Sequence, residues 1–177
     1  HAVLDLGSGV QPRVALCFGR PTRAPTARKP SMRLFKSLAD ITPSAQGAVV
    51  AIGNFDGVHK GHKSVIGIAR RIAASRDLPS GVLTFEPHPL RYFKPDVPPF
   101  RLTPTMAKAR RIAALGIDNL YIAEFDKTFS EVSASDFVTK TLLGEIGAKH
   151  LVVGYDFVFG HKREGSLQML REICAAH

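Results

Sequence analysis

The sequence has 177 residues, of which 45% are hydrophobic and 22% charged, and its formal net charge is +9. This length suits one domain with a single core, and the composition is ordinary for a globular protein. No apolar run approaches the ~20 residues that a membrane-spanning helix needs, so the sequence predicts no membrane partner.

The first 31 residues differ in composition from the rest of the chain. They contain four of the twelve prolines and carry a net charge of +4, without a sustained hydrophobic period. We expect a disordered or non-native extension here, although its Arg-rich, acid-poor composition faintly resembles an organellar transit peptide. The functional domain is therefore predicted to span residues 32–177.

The remaining basic excess is small and scattered. Residues 32–177 carry a charge of +5, with no basic run interleaved with aromatic residues. Such runs are typical of nucleic-acid surfaces, so we predict no nucleic-acid partner and favour a small anionic substrate. The two cysteines, Cys17 and Cys174, lack metal-site spacing and are expected to be free thiols, which together with the composition predicts a cytoplasmic protein.

From Met32 onward, apolar runs alternate with amphipathic segments. The predicted strands are 48–52, 81–85, 120–123 and 150–153, and the predicted helices are 61–75, 104–115, 133–143 and 166–176. A proline-dense loop, 87–104, follows the second strand. This alternation implies right-handed crossovers and a Rossmann-like α/β fold, an open parallel sheet with helices on both faces.

Two strand-to-helix turns stand out from the others by their glycine, histidine and aromatic content. The first turn, 53–62, follows the first predicted strand, and the second turn, 154–165, follows the fourth. Open parallel sheets bind ligands beyond the carboxyl ends of their strands, where the strand order reverses. If the fourth strand lies beside the first, across from the second, both turns line one crevice.

The first turn has the features of an anion site. Gly53, Gly57 and Gly61 permit a tight backbone and the close approach of a ligand. His59 and His62 lie three residues apart at the start of a helix, whose free N–H groups and dipole favour an anion such as a triphosphate. The histidines could donate hydrogen bonds to charge that develops during phosphoryl transfer. A metal-binding pair, or histidines without a role, are the alternatives.

These turns resemble motifs of the prokaryotic FAD synthetases, bifunctional enzymes of the nucleotidylyltransferase superfamily with an N-terminal FMN adenylyltransferase and a C-terminal riboflavin kinase. The first turn is similar to a variant of the superfamily's His-x-Gly-His element. Further matching segments follow in the family's order: Thr84–Pro89, Arg101–Thr103, Phe125–Asp126 with Phe129 and Phe137, and Gly154–Gly160. The resemblance therefore runs from Met32 to His177.

The resemblance implies that AMP is transferred from ATP to FMN, with Mg²⁺ accompanying the ATP and a riboflavin kinase domain covalently attached. It implies catalytic roles for His59 and His62 and assigns no metal ligand. The residues implied to bind ATP are Gly53, Asn54, Phe55, Asp56, Gly57, Gly61, Gly154, Asp156, Phe157, Gly160 and Arg163. The residues implied to bind the flavin are Glu86, Pro87, His88, Pro89 and Arg101.

Several alternatives accompany this interpretation. The family carries a Ser/Thr-rich segment ending in Ile-Arg beyond the position of His177, so we expect this chain to hold most, but not all, of the ATP site. Another nucleotidylyltransferase, such as a cytidylyltransferase, and a non-catalytic nucleotide- or flavin-binding fragment are the competing functions. Phe85, Phe157 and Phe159 fit core packing equally well, and His88 between two prolines fits a rigid loop.

Overall fold

The structure, a computed structural model, describes residues 14–15, 31–93 and 103–177. The strands of these residues are β1 (Val14–Ala15), β2 (Arg33–Phe35), β3 (Val49–Ile52), β4 (Ser80–Glu86), β5 (Asn119–Glu124) and β6 (His150–Val153). They form one sheet in the order β1-β6-β3-β4-β5-β2. The strands β2 to β6 are parallel, whereas the two-residue β1 pairs antiparallel with β6 at the edge. The predicted α/β fold with an open parallel sheet is confirmed.

The helices are α1 (Lys60–Ser75), α2 (Pro89–Phe93), α3 (Thr105–Ala113), α4 (Lys127–Ser130), α5 (Ala134–Asp136) and α6 (Leu167–Ala176). A π-helical segment, Phe137–Glu145, continues directly from α5. Hydroxyl caps begin two of these helices: Ser133 Oγ accepts from the Asp136 N–H, as the spacing of Ser133 and Asp136 predicts, and Ser166 Oγ accepts from the Met169 N–H. Each cap satisfies a backbone donor that the first helical turn leaves unpaired.

The segment between β4 and α3 differs from the prediction. The proline-dense loop begins with the short helix α2, and residues 94–102 lie outside the described residues. The sequence predicts Thr103 as the cap of this helix with Pro104 at its first position, whereas in the structure Pro104 is the cap residue of α3. The Thr103 hydroxyl instead accepts a hydrogen bond of 3.1 Å from the Gly57 N–H, which ties the start of α3 to the first turn.

The sheet is buried on both faces, which is why its strands are continuous apolar runs. Alternate residues of a strand point to opposite faces. In β3, Val50 and Ile52 pack with the π-helical segment and α6, whereas Val49 and Ala51 pack with α1 and α3. Two apolar layers therefore hold the strand ends, and the turns that follow them, in fixed positions.

Three expectations from the sequence concern other parts of the chain. Of the predicted N-terminal extension, residues 14–15 form β1 and residues 1–13 and 16–30 lie outside the described residues, so its disordered or non-native character stays a prediction. Cys174 is disulfide-bonded, so the expectation of free thiols is wrong at this residue, and the cytoplasmic location stays a prediction. In the described part of the chain, no helix combines the length and apolarity needed to cross a bilayer.

Candidate functional site

The reversal of strand order lies at β3, which pairs in parallel with β4 on one side and β6 on the other. The condition under which both turns line one crevice, with the fourth predicted strand beside the first, is therefore met. Both turns, 53–62 and 154–165, leave the sheet at the same edge and border a cavity of about 790 Å³. This volume falls within the ~300–1,000 Å³ typical of small-molecule sites.

The cavity brings together most of the residues that the sequence assigned to ligands. Those lining it are Gly53, Asn54, Phe55, His62, His88, Pro89, Gly154, Asp156, Phe157, Gly160 and Arg163. The assigned residues outside this lining are Asp56, Gly57, His59, Gly61, Glu86 and Pro87. Arg101 lies outside the described residues. The individual ligand roles of all these residues stay predictions.

The two histidines of the first turn occupy different positions. His59 is exposed and caps α1, because its Nδ1 accepts from the His62 N–H at 3.4 Å. Since Nδ1 is the acceptor, Nε2 carries the proton of the neutral ring and can donate. The His62 ring stacks on His59 with centroids 3.6 Å apart, meets the edge of Phe55, and lines the cavity. Of the pair, His62 is the one placed to touch a ligand in the cavity.

The surroundings of His62 favour its neutral form. Burial, followed by the charges of His59 and Lys108, lowers the pKa of His62 from 6.5 to about 4, although the nearby Asp56 opposes the change. At neutral pH the ring is uncharged and offers a single N–H donor. His150, fully buried on β6, has its pKa lowered to about 4 for the same primary reason, burial.

These two histidines predict a loss of stability in acid. A group whose pKa is lowered in the folded state binds fewer protons there than in the unfolded chain, so stability falls as the pH drops from about 6.5 to about 4. We expect the melting temperature to decrease over this range. His150→Gln, which removes one of the two groups, should flatten the dependence. A pH profile of the variant as steep as that of the unchanged chain would contradict this origin.

The backbone of the first turn adopts conformations that L-residues rarely use. Phe55 and Val58 have left-handed φ values of 48° and 44°, and Gly57 has a φ of 76°. Such strain costs about 1–3 kcal/mol per residue and persists only where the surroundings enforce it. Burial is the first constraint that holds this turn in its strained conformation, since Phe55 is 1% exposed.

Hydrogen bonds from Thr103, which precedes α3, and from Arg111 of α3 also constrain the first turn. The Asp56 carboxylate accepts from the Thr103 N–H at 3.0 Å, and the Gly57 carbonyl accepts from the Arg111 guanidinium at 3.0 Å. Asp56 and Gly57, both assigned to ATP from the sequence, thus make contacts that hold the turn. Neither residue lines the cavity.

Lys108 of α3 is a site residue that the sequence reasoning missed. It is 3% exposed, and its ammonium forms an ion pair of 2.8 Å with Glu86. The same Nζ donates to the Asn54 carbonyl at 2.9 Å and to Thr84 Oγ1 at 3.2 Å. The available signal is its spacing: Lys108 stands four residues before the buried Ile112, on the core-facing side of the helix. The Glu86 carboxylate, assigned to the flavin, is directed to this lysine.

The second turn is docked against the segment that begins α5. The Glu164 carboxylate accepts from the Ala134 N–H at 2.8 Å, and the His161 N–H donates to the Val132 carbonyl at 2.8 Å. Gly160 has a φ of 75°, and a Cβ there would lie 2.6 Å from the Ala134 nitrogen. Only glycine permits this close approach. The turn therefore presents Asp156 and Arg163 to the cavity from a fixed base.

An aromatic wall forms the side of the cavity nearest α2 and α4. Phe125 is its centre, with ring centroids 5.6 Å from Tyr92, 5.7 Å from Phe93 and 5.8 Å from Phe129. Phe93 is 62% exposed although it is large and apolar. Exposed aromatic surface of this kind, at the edge of a cavity, is typical of a site that binds a planar apolar group.

Comparisons with known proteins identify a family and relatives of this chain. Residues 41–177 match the model of a protein family described as FAD synthetase. The chain is 37% identical over 142 residues to the bifunctional riboflavin kinase/FMN adenylyltransferase of Escherichia coli (strain K12), covering 80% of this chain and 45% of that protein. It is 39% identical over 140 residues to the protein of the same name from Haemophilus influenzae, with coverages of 79% and 46%. The chain thus spans less than half the length of these relatives.

A solved structure shares the fold. The crystal structure described as a macrolide-efflux protein from Streptococcus pneumoniae superposes with a TM-score of 0.68 at 28% sequence identity. The match covers 81% of this chain and 47% of that one. It supports the same α/β arrangement.

Proposed function

The chain belongs to the FAD synthetase family, and from this membership we propose that it is an FMN adenylyltransferase module, which transfers AMP from ATP to FMN and releases pyrophosphate. One observation carries the proposal: two glycine-containing turns at adjacent strand ends meet at a cavity that has a polar side and an aromatic side. The two sides suit the two substrates, a nucleoside triphosphate and a planar flavin.

The polar side is proposed to hold ATP. The first turn leads into the 16-residue helix α1, whose N-terminal N–H groups and dipole attract phosphates. The neutral His62 adds a side-chain donor beside them. Lys162 and Arg163 of the second turn also line the cavity, and both are exposed cations that a polyphosphate would attract.

The aromatic side is proposed to hold the flavin. The ring system of FMN is planar and apolar on its faces, and it can stack on or meet the edges of aromatic side chains. Tyr92, Phe93 and Phe125 supply such surface, with His88 and Pro89 beside them. This placement leaves the FMN phosphate directed toward the polar side, where the α-phosphorus of ATP would lie.

The proposed reaction is a direct displacement. A phosphate oxygen of FMN attacks the α-phosphorus of ATP, the new P–O bond forms, and the bond to the β-phosphate oxygen breaks with departure of pyrophosphate. The protein contributes by positioning the two phosphates and by donating hydrogen bonds to charge that builds up on them. His62 is the proposed donor from this chain, and His59 Nε2 is a second.

Mg²⁺ is proposed to enter with ATP. Among the described residues, no group of three or more His, Cys, Asp or Glu side chains is arranged to hold a metal. This fits Mg²⁺, which proteins usually bind through one or two carboxylates together with substrate phosphates. Asp156 and Glu131 are the acidic residues that line the cavity and would supply such a carboxylate. When bound, the ion would offset the charge of the triphosphate.

The decisive experiment is to incubate the full-length gene product with ATP, Mg²⁺ and FMN and to quantify FAD and pyrophosphate. We expect FAD to form with ATP and not with CTP. Product formation from CTP and a phospho-alcohol, without FAD, would favour the cytidylyltransferase alternative. The name of the curated relatives also leads us to propose an attached riboflavin kinase domain, which an assay of FMN formation from riboflavin would test in the same preparation.

A binding measurement tests the site in the 177-residue chain itself. We expect calorimetry to detect ATP binding that becomes tighter when Mg²⁺ is added, because the ion offsets repulsion within the triphosphate. Absence of ATP or ADP binding at millimolar concentrations would contradict the proposed nucleotide site. Binding without FAD formation by the full-length product would favour the non-catalytic alternative.

A further inference from the structure

The buried ammonium of Lys108 makes three polar contacts beneath the first turn. They are the ion pair with Glu86 at 2.8 Å, and hydrogen bonds to Asn54 O at 2.9 Å and Thr84 Oγ1 at 3.2 Å. Three acceptors match the three donors of an ammonium group. A lysine that is 3% exposed is rare unless it is paired in this way. The side chain does not line the cavity, so no contact with substrate explains its burial.

The contact with Asn54 acts on the backbone of the site. The Asn54 carbonyl accepts from Lys108 and also from the Thr84 hydroxyl at 2.9 Å. In a planar trans peptide, the C=O and the following N–H point in opposite directions. The N–H of Phe55 therefore points away from Lys108. Since Phe55 holds a left-handed φ of 48°, this peptide needs an external restraint to keep its orientation.

We propose that Lys108 is a positioning residue for adenylyl transfer, in that its buried ammonium fixes the Asn54–Phe55 peptide and so sets the first turn against the nucleotide. This inference rests on the proposed function. Lys108 acts through the turn and touches neither substrate. Because a misplacement of about 1 Å can lower a rate on the order of a hundredfold, loss of this restraint should affect chemistry as well as stability.

The first test is Lys108→Met in the full-length gene product, which keeps the length of the side chain and removes its charge and donors. We expect kcat/KM for ATP in FAD formation to fall between ~10-fold and ~100-fold, with most of the loss in kcat. The matched control is Lys140→Met, since Lys140 is exposed and pairs only across one helical turn, at 3.1 Å from Asp136. The control should retain normal kinetics.

A double variant separates positioning from simple neutralisation of Glu86. Lys108→Met alone removes the cation that pairs with the half-buried Glu86 carboxylate, which destabilises the fold. Glu86→Gln combined with Lys108→Met removes both charges, so it should regain melting temperature, and it carries the kinetic test if the single variant does not fold. If Lys108 positions the turn, kcat/KM stays low in the double variant compared with Glu86→Gln alone. Recovery of kcat/KM to the Glu86→Gln level would overturn the inference.

A spectroscopic measurement tests, without any turnover, whether the Lys108 charge lies close to the first turn. The charge of Lys108 contributes to the lowered pKa of His62, so the NMR titration of the His62 ring should move to higher pH in Lys108→Met. An unchanged titration with unchanged kcat/KM would overturn the inference. If the unchanged protein makes no FAD, the proposed function fails, whereas normal FAD formation by both proteins removes only the role of Lys108.

Discussion

Replacing His62 with alanine is expected to lower the rate of FAD formation about a hundredfold, which is the usual effect of removing one donor to a developing negative charge. The expectation follows from position: His62 lines the cavity at the start of α1, half-buried and neutral. If the hydrogen bond from the His62 N–H to the phosphates strengthens only as charge accumulates on them, kcat should fall more than ATP affinity. Steady-state kinetics and calorimetry on one preparation measure both quantities.

The controls for this variant address folding and specificity. Riboflavin kinase activity of the proposed attached domain should be unchanged, and the melting temperature of the same preparation reports the folding of the domain that contains His62. His177→Ala removes an exposed histidine at the end of α6 and should leave FAD formation normal. Near-normal turnover of His62→Ala would contradict its catalytic role and leave the histidine as a packing residue against Phe55.

The structure also separates the two histidines that the sequence treated as a pair. Because the Nδ1 of His59 caps α1, His59→Ala should cost the helix about 1 kcal/mol, typical of a lost N-cap. The ring is exposed and does not line the cavity, so its effect on turnover should be smaller than that of His62. A larger loss of kcat in His59→Ala than in His62→Ala would reverse this order.

Much of the fold could be predicted because its signals are local. A continuous apolar run such as 48–52 predicts a strand buried on both faces. Ser133 with Asp136 three residues later resembles an N-terminal capping arrangement and predicts a helix start. The position of the site followed from the rule that ligands bind where parallel strand order reverses. The short strand β2 and helix α2 were missed because three and five residues are too few to show a period.

The missed parts of the site are contacts between distant segments. Lys108 and Asn54 are 54 positions apart, and Glu164 and Ala134 are 30 apart. No spacing in the sequence indicates that these groups meet, because tertiary packing decides it. Glu86 and Asp56 were assigned to ligands from their place in a motif, and those ligand roles stay predictions. Their carboxylates are directed to Lys108 and to the Thr103 N–H, where they support the turn from behind.

Gly160→Ala is expected to destabilise the second turn strongly. A Cβ at this position would lie 2.6 Å from the nitrogen and 2.7 Å from the Cα of Ala134, both backbone atoms that cannot rotate away. Overpacking of this kind costs about 1–3 kcal/mol, and the backbone of Gly160, with a φ of 75° and a ψ of 173°, lies in a region used almost only by glycine, which adds about 1–3 kcal/mol for another residue. We therefore expect the melting temperature to fall by roughly 10 °C.

The displacement should also weaken ATP binding. To relieve the contact, the second turn must move off α5, which breaks the hydrogen bond between Glu164 and the Ala134 N–H and shifts Asp156 and Arg163 at the cavity. Gly47→Ala is the matched control, because Gly47 has a φ of 83° but nothing within 4 Å of the added Cβ. The Gly47→Ala variant should be destabilised only by the strain of a non-glycine residue at a positive φ, and it should bind ATP normally. Differential scanning calorimetry of the two variants isolates the packing cost, and equal losses would show that the contact between Gly160 and Ala134 contributes nothing.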